Sequence, residues 1–272
     1  MIILKMRASL FLFKNKNFSF HNLKATKLTF LYFYLPLVGQ ENLNNFSWQI
    51  GEELSYKVSW GFIPVGTLNL SILDTMQIDV QKTYHVRLNI DSNPWLFFVN
   101  MHSTFDGYLL NNTFPRRLVV QEEIDGMNYK SRYDFDYTNN IINSHYESIE
   151  DTSVNIDTGK VMDKKYQDGM SIIYYARANC HKNNQEQLNL FYEAKEGLLD
   201  INFTGQVDSI ETDFSETKIP AFYLNGEAHF KAIAGFTGKY EGWFSNDKQR
   251  IPLAARMEVF LGSVYLELEK KK

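Results

Sequence analysis

The residues best equipped for chemistry crowd into one stretch, YEGWFSNDKQRIP, residues 240–252, with a Trp, two acids, two cations and a Ser. Carboxylates beside a hydroxyl or a guanidinium could act as an acid/base pair, as an activated nucleophile, or as a clamp on a polar ligand. Elsewhere Cys180 adjoins His181, Glu52 adjoins Glu53 and Glu122 adjoins Glu123. Neighbours on a strand face opposite ways, so neither acidic doublet can work as one pair. Asp134 and Asp136 do share a face, but with Lys130 and Arg132, which is the pattern of a solvated strand. No motif sets a base beside Cys180, so it reads as an ordinary Cys at a helix end. His85, His102, His145, His181 and His229 include no pair at metal-ligand spacing, and no nucleophile elbow, phosphate loop or dinucleotide fingerprint occurs. The expectation is a protein without catalytic residues, metal or cofactor.

The elements that must position these residues are strands. ELSYKVSW puts Leu54, Tyr56, Val58 and Trp60 on one face and Ser55, Lys57 and Ser59 on the other, and after GFIPVG the run TLNLSIL resumes the alternation. Similar runs recur about every ten residues to the C-terminus, separated by Gly, Asn and Asp turns. They predict an all-β, mainly antiparallel fold: one large curved sheet, open barrel or wrapped sandwich of more than ten strands. One segment departs from period two. In DGMSIIYYARA, Asp168 is placed to cap a helix near 168–178, with Met170, Ile173, Tyr174 and Arg177 at helical spacing, able to plug an open sheet. With 44% hydrophobic and 15% aromatic residues the chain has ample material for a core, and residues 40–272 read as a single domain.

Up to Gln40 the chain carries six cations and no acid, ending in KLTFLYFYLPLVGQ. A basic stretch, eleven apolar residues and a small residue make the pattern of a secretory signal over 1–39 with an over-long basic region, too short to span a bilayer. The remaining 22 cations against 32 acids argue against a nucleic-acid partner. With Cys180 as the lone cysteine there is no disulfide and no lipid anchor. The expected product is exported to the periplasm or the outer membrane, with no transmembrane span in the mature chain.

Three stretches together resemble a known family: GEELSYKVSWGFIPVGTLNL at 51–70, DGMSIIYYARA at 168–178 and GKYEGWFSNDKQRIPLAARMEVFLGSVYLELE at 238–269. In that order they are similar to the landmarks of DUF3108, exported proteins of Bacteroidetes and Proteobacteria. The matching positions are Gly51, Glu52, Tyr56, Trp60, Gly61 and Gly66, then Asp168, Ser171, Tyr175 and Arg177, then Trp243, Asp247, Arg250, Pro252 and Gly262. The resemblance implies an exported all-β protein and assigns no catalytic role.

Alternation places Tyr240, Gly242 and Phe244 on the inward face and Lys239, Glu241 and Trp243 on the outward one, with SNDKQ as a hairpin loop. Arg250 then falls on the polar side with Arg256 and Glu258, close enough to Asp247 to pair across the turn. Trp60, Asp168, Tyr174, Arg177, Tyr240, Trp243, Asp247 and Arg250 are the candidates for a ligand site or a structural clasp. The aromatic run WLFFV at 95–99 could form an apolar rim. These features favour a non-enzymatic binder of an amphiphile, lipid or glycan, in the concavity of a curved sheet. The alternative is an envelope assembly factor acting through protein contacts, and a carboxylate-based hydrolase is the third reading.

Overall fold

The computed structural model describes residues 46–95, 101–124, 126–151, 154–230, 237–259 and 262–272. The signal-like segment and residues 96–99 of the aromatic run lie outside the described residues. In chain order the strands are β1 (Glu53–Trp60), β2 (Ile63–Ile78), β3 (Gln81–Ser92), β4 (Met101–Leu110), β5 (Pro115–Ile124), β6 (Met127–Asp136), β7 (Ile141–Ser148) and β8 (Asn155–Val161). The helix α1 (Ser171–Asn179) follows. Then come β9 (Asn183–Tyr192), β10 (Lys195–Thr212), β11 (Ser215–Ala228), β12 (Gly238–Ser245), β13 (Pro252–Glu258) and β14 (Ser263–Lys271). All fourteen pair antiparallel in one sheet. Its order runs from β8 down to β1, then through β14 and down to β9, so β1–β14 joins the two ends of the chain.

The alternation read from sequence is the alternation of burial. Leu54 and Tyr56, Leu70 and Ile72, Val86 and Leu88, Tyr133 and Phe135 all point into one core, while their neighbours face out. The expected break at GFIPVG is shorter than the sequence suggests. Only Gly61 and Phe62 form the turn, and Pro64 is accommodated at a bulge opposite Ser59.

The helix shows how far the sheet curls. At its start Met170 packs over β4, where a Cβ on Gly107 would sit 3.2 Å from Met170 Cβ. At its end Ala176 and Cys180 pack with Phe203, Phe222, Leu224 and Phe244 of β10 to β12. In sheet order β4 and β11 are seven strand spacings apart, about 34 Å if flat, whereas a helix is only about 10 Å wide. The sheet therefore wraps around α1 as a barrel-like shell. Near the open seam Phe191 of β9 meets Tyr133 and Phe135 of β6 at 6.1 and 6.3 Å, and Lys160 of β8 pairs with Glu196 of β10 at 2.6 Å. Among the described residues the two edges, β8 and β9, share no backbone hydrogen bond. The chain between β8 and α1 lies against β9 instead, with Gln167 N–H donating to Asn189 O and Phe191 N–H to Gln167 O. Part of the β9 edge is thus covered, which removes a template for unwanted strand pairing.

A second cover lies on the outside. β10 bulges between Phe203 and Val207, where Gly205 takes a φ of 66°, and the hairpin beyond folds back over the outer face. Its tip is anchored where the Asp213 N–H donates to Glu267 of β14 and Lys57 of β1 pairs with Asp213, both at 2.6 Å.

Gly226 of β11 has no room for a side chain, because a Cβ there would collide with the Asp200 carbonyl and with the Tyr240 hydroxyl that donates to it. Gly226→Ala should lower the urea midpoint by the equivalent of about 2 kcal/mol. Gly159→Ala, whose Cβ would meet its nearest neighbour at an ordinary 3.5 Å, should leave the midpoint nearly unchanged.

Candidate functional site

Of the eight candidates, Asp168, Tyr174, Arg177, Tyr240 and Arg250 point into the shell around α1, Asp247 lies on the exposed β12–β13 loop, and Trp60 and Trp243 lie elsewhere. The Arg177 guanidinium, fully buried, donates to Glu52 through two nitrogens at 2.7 and 2.9 Å, in a bidentate pair. Its remaining hydrogen bonds go to the Gln249 carbonyl at 2.9 Å and the Arg250 carbonyl at 3.2 Å. Tyr174 and Phe46 flank the guanidinium, with ring centroids at 5.5 and 5.2 Å, and Trp48 stacks on both Tyr174 and Tyr84. Burial alone would loosen the Arg177 proton, but the Glu52 carboxylate more than offsets this and holds the guanidinium above its usual value.

Arg250 corrects the sequence reading. It is buried rather than on the polar side with Arg256, because its φ of 48° breaks the strand parity just before β13 begins. Nor does its side chain pair with Asp247. The guanidinium donates to the Ala178 carbonyl at 2.6 Å and the Arg177 carbonyl at 3.4 Å, the negative end of the helix. Asp247 works on the backbone: its Oδ1 accepts the Gln249 and Arg250 N–H groups and the Ser245 hydroxyl, which shapes the loop.

Asp168 lies two residues before the formal helix N-cap. Its Oδ1 accepts the Met170 and Ser171 N–H groups at 2.9 and 2.6 Å, while the formal capping position falls on Met170. Burial raises its pKa to about 6 against these stabilising hydrogen bonds. Cys180, at the other helix end, is buried and its thiol is pushed up to about 12, far from a reactive thiolate.

Tyr240 points inward as expected and donates to Asp200 O, but on the far side of the helix from the ion pair. Trp243 lies on the opposite face from Phe244 and is covered not by the helix but by the outer β10–β11 hairpin, beside Ile210 and Ile219. Trp60 sits at the β1–β2 turn, away from all of these. The concave face expected to receive a ligand is thus filled by α1 and its rings, and the interior set is a clasp. It ties residue 52, the helix and residue 250 together through groups closed to solvent.

An open concavity lies on the outer face. An open trough of about 780 Å³ crosses β9 to β13. One cross-strand row aligns Gln185, Asn202, Asn225, Glu241 and Arg256. Asn202 donates to Asn225 at 3.2 Å, Asn225 to the Tyr223 hydroxyl at 3.3 Å and that hydroxyl to Glu241 at 2.9 Å. Glu241 in turn meets Arg256 at 3.5 Å, and the Arg256 guanidinium lies over the Tyr265 ring. Five acids against Lys239 and Arg256 give the trough an acidic balance. Asn202, Asn225, Glu241 and Arg256 each alternate with apolar or small neighbours in their own strands, a pattern visible in sequence, whereas Gln185 lies between Asn184 and Glu186, and the register that aligns the row is not visible.

Two consequences are measurable. Glu52→Gln leaves the buried Arg177 guanidinium without its carboxylate and should cost about 3–5 kcal/mol in denaturant unfolding. Glu52→Met combined with Arg177→Met should cost well below the sum of the singles. Asp168 binds its proton more tightly folded than unfolded, so between its unfolded value of 3.8 and about 6 its contribution makes stability fall as pH rises. The size is about 3 kcal/mol across that window. Asp168→Asn, which keeps the cap, should flatten that slope in a pH series of unfolding curves.

Among the described residues no group of three or more His, Cys, Asp or Glu could hold a metal ion, and no helix is long and apolar enough to cross a membrane. No curated protein matches the chain. The fold is similar to a β-barrel-like protein of unknown function, DUF1849, from Brucella abortus. The two share 10% identity at a TM-score of 0.51, over 82% of this chain and 97% of that one. Weaker likenesses reach a "putative exported protein with YmcC-like fold" from Bacteroides fragilis, at 8% identity and TM-score 0.37 over 84% and 98% of the two chains. A "putative lipoprotein" from Parabacteroides distasonis follows at 9% identity and TM-score 0.35, over 84% and 97%. Residues 55–269 match the model of a protein family of unknown function, and with more than half its length so matched the chain belongs to DUF3108.

Proposed function

We propose that this protein is an exported, non-enzymatic binder whose ligand is a neutral, polyhydroxylated glycan laid along the outer trough of β9 to β13. The observation that carries the reading is the continuous ladder Asn202–Asn225–Tyr223–Glu241–Arg256, half exposed and already mutually oriented. Planar amides, a carboxylate and a guanidinium at strand spacing offer paired donors and acceptors to vicinal hydroxyls, and the Tyr223 ring adds an apolar edge for a sugar face. Because the groups hold one another before a ligand arrives, binding pays little side-chain ordering entropy. The acidic balance disfavours phosphate or sulfate groups, and the trough is lined mainly by polar and charged side chains rather than by the continuous apolar walls an acyl chain needs. Export is supported by the basic stretch and apolar run over residues 1–39.

Calorimetry of the purified protein against a panel of neutral oligosaccharides tests this. At least one should bind, Tyr223→Ala should weaken it by roughly tenfold or more, and the sugar should be recovered uncleaved by chromatography. Binding that ignores Tyr223→Ala and Glu241→Gln, or a cleaved sugar, would remove the trough or the non-enzymatic reading respectively.

A further inference from the structure

In an antiparallel sheet every second turn falls at the same end. The β1–β2, β3–β4 and β13–β14 turns therefore share one end, and since β4, β3, β2, β1, β14 and β13 are consecutive in the sheet, the three turns lie side by side. They touch: Asn93 donates its N–H to Val65 O and its side-chain amide to Pro64 O, Trp60 pairs with Val264, and the Trp60 indole nitrogen lies against Gly262.

Along the chain this arc is free of formal charge. No Asp, Glu, Lys or Arg occurs between Lys57 and Asp74, between Asp91 and Asp106, or between Glu258 and Glu267. What it presents outward is apolar. Phe62 at the turn apex is 95% exposed, Trp95 is 89% exposed, and Trp60 and Ile63 are also open to solvent. Gly61, with a φ of 60°, lets the turn carry Phe62 at its very tip. The opposite end of the sheet carries Asp79, Asp136, Asp163, Lys164, Lys165 and Asp247, while at the arc's own end charged residues such as Glu150, Asp151 and Glu193 stand in the β7–β8 and β9–β10 turns, farther along the sheet.

We infer that the arc formed by Trp60, Phe62, Ile63 and Trp95 docks on the surface of a lipid bilayer, with the strands standing away from it. Three features select a bilayer. The apolar groups sit on protruding turns, which enter a soft medium but would need a matching groove on a protein. Tryptophan is favoured at the boundary between headgroups and acyl chains. The absence of cations means that the attraction is apolar, so the surface can be zwitterionic. Docked this way, the outer trough would remain in water, so this inference and the glycan reading stand or fall separately.

The full-length chain is mixed with phosphatidylcholine vesicles whose acyl chains are brominated, and tryptophan emission is followed. Trp48 and Trp243 are half-buried and packed against the core with their indole nitrogens closed to solvent, so quenching reports chiefly on Trp60 and Trp95. Quenching that persists from low to high salt is expected. Phe62→Ser with Trp95→Ser should lower vesicle partitioning by at least roughly tenfold, with an unchanged circular dichroism spectrum. Binding that requires anionic lipid and is lost in salt would point to the six cations before Gln40 and overturn the inference. So would partitioning unaffected by the double substitution, or a dimer in solution that the substitution dissolves and that leaves vesicles unquenched.

Discussion

The bidentate pair between Arg177 and Glu52 is the constraint on which the architecture depends. A sheet of fourteen strands that wraps without closing must fill its interior, and here α1 fills it. A nine-residue helix is too short to be stable alone, so its position has to be enforced by its surroundings. Apolar packing alone would permit it to slide or rotate. A buried guanidinium that finds its carboxylate in only one orientation does not, although that specificity comes at a desolvation cost. Arg250 adds the second tie by donating to the last carbonyls of the same helix, and those contacts bring the β12–β13 loop under it.

Filling the interior decides which surfaces stay open. With Trp48 stacked on Tyr174 of the helix and Phe191 packed against Tyr166, the concave side is closed, and the open surfaces are the outer face and the sheet ends. The outer face is divided in turn. The folded-back β10–β11 hairpin covers Trp243, while the neighbouring stretch of β9 to β13 keeps an uncovered polar ladder. The long strands β10 and β11, together with the bulge at Gly205, thus produce a covered and an open half on the same surface.

Local periodicity made the shell legible in sequence. Leu54, Tyr56 and Trp60 alternate as strand residues must, SIIYYARA breaks the period where the helix lies, and the turn chemistry of Ser245, Asn246 and Asp247 marks a loop that the structure contains. Parity also separated Glu52 from Glu53: one is buried in the ion pair and the other lies outside. It did not reveal which cation Glu52 meets, since 125 residues separate it from Arg177 and only the wrapped sheet brings them together. Parity failed at Arg250 because a single left-handed residue shifts the count by one. Trp243 was placed on the correct face, but its cover comes from a hairpin whose fold-back depends on a bulge, and bulges leave little trace in composition.

Amide hydrogen exchange of α1 tests most directly whether the pair pins the plug. In the native protein the α1 amides should exchange as slowly as those of β5 and β6, through global unfolding only. In Glu52→Gln they should become markedly faster while β5 and β6 retain their protection relative to the new global stability. Equal protection of helix and strands in Glu52→Gln would show that apolar packing holds the helix and would contradict the account.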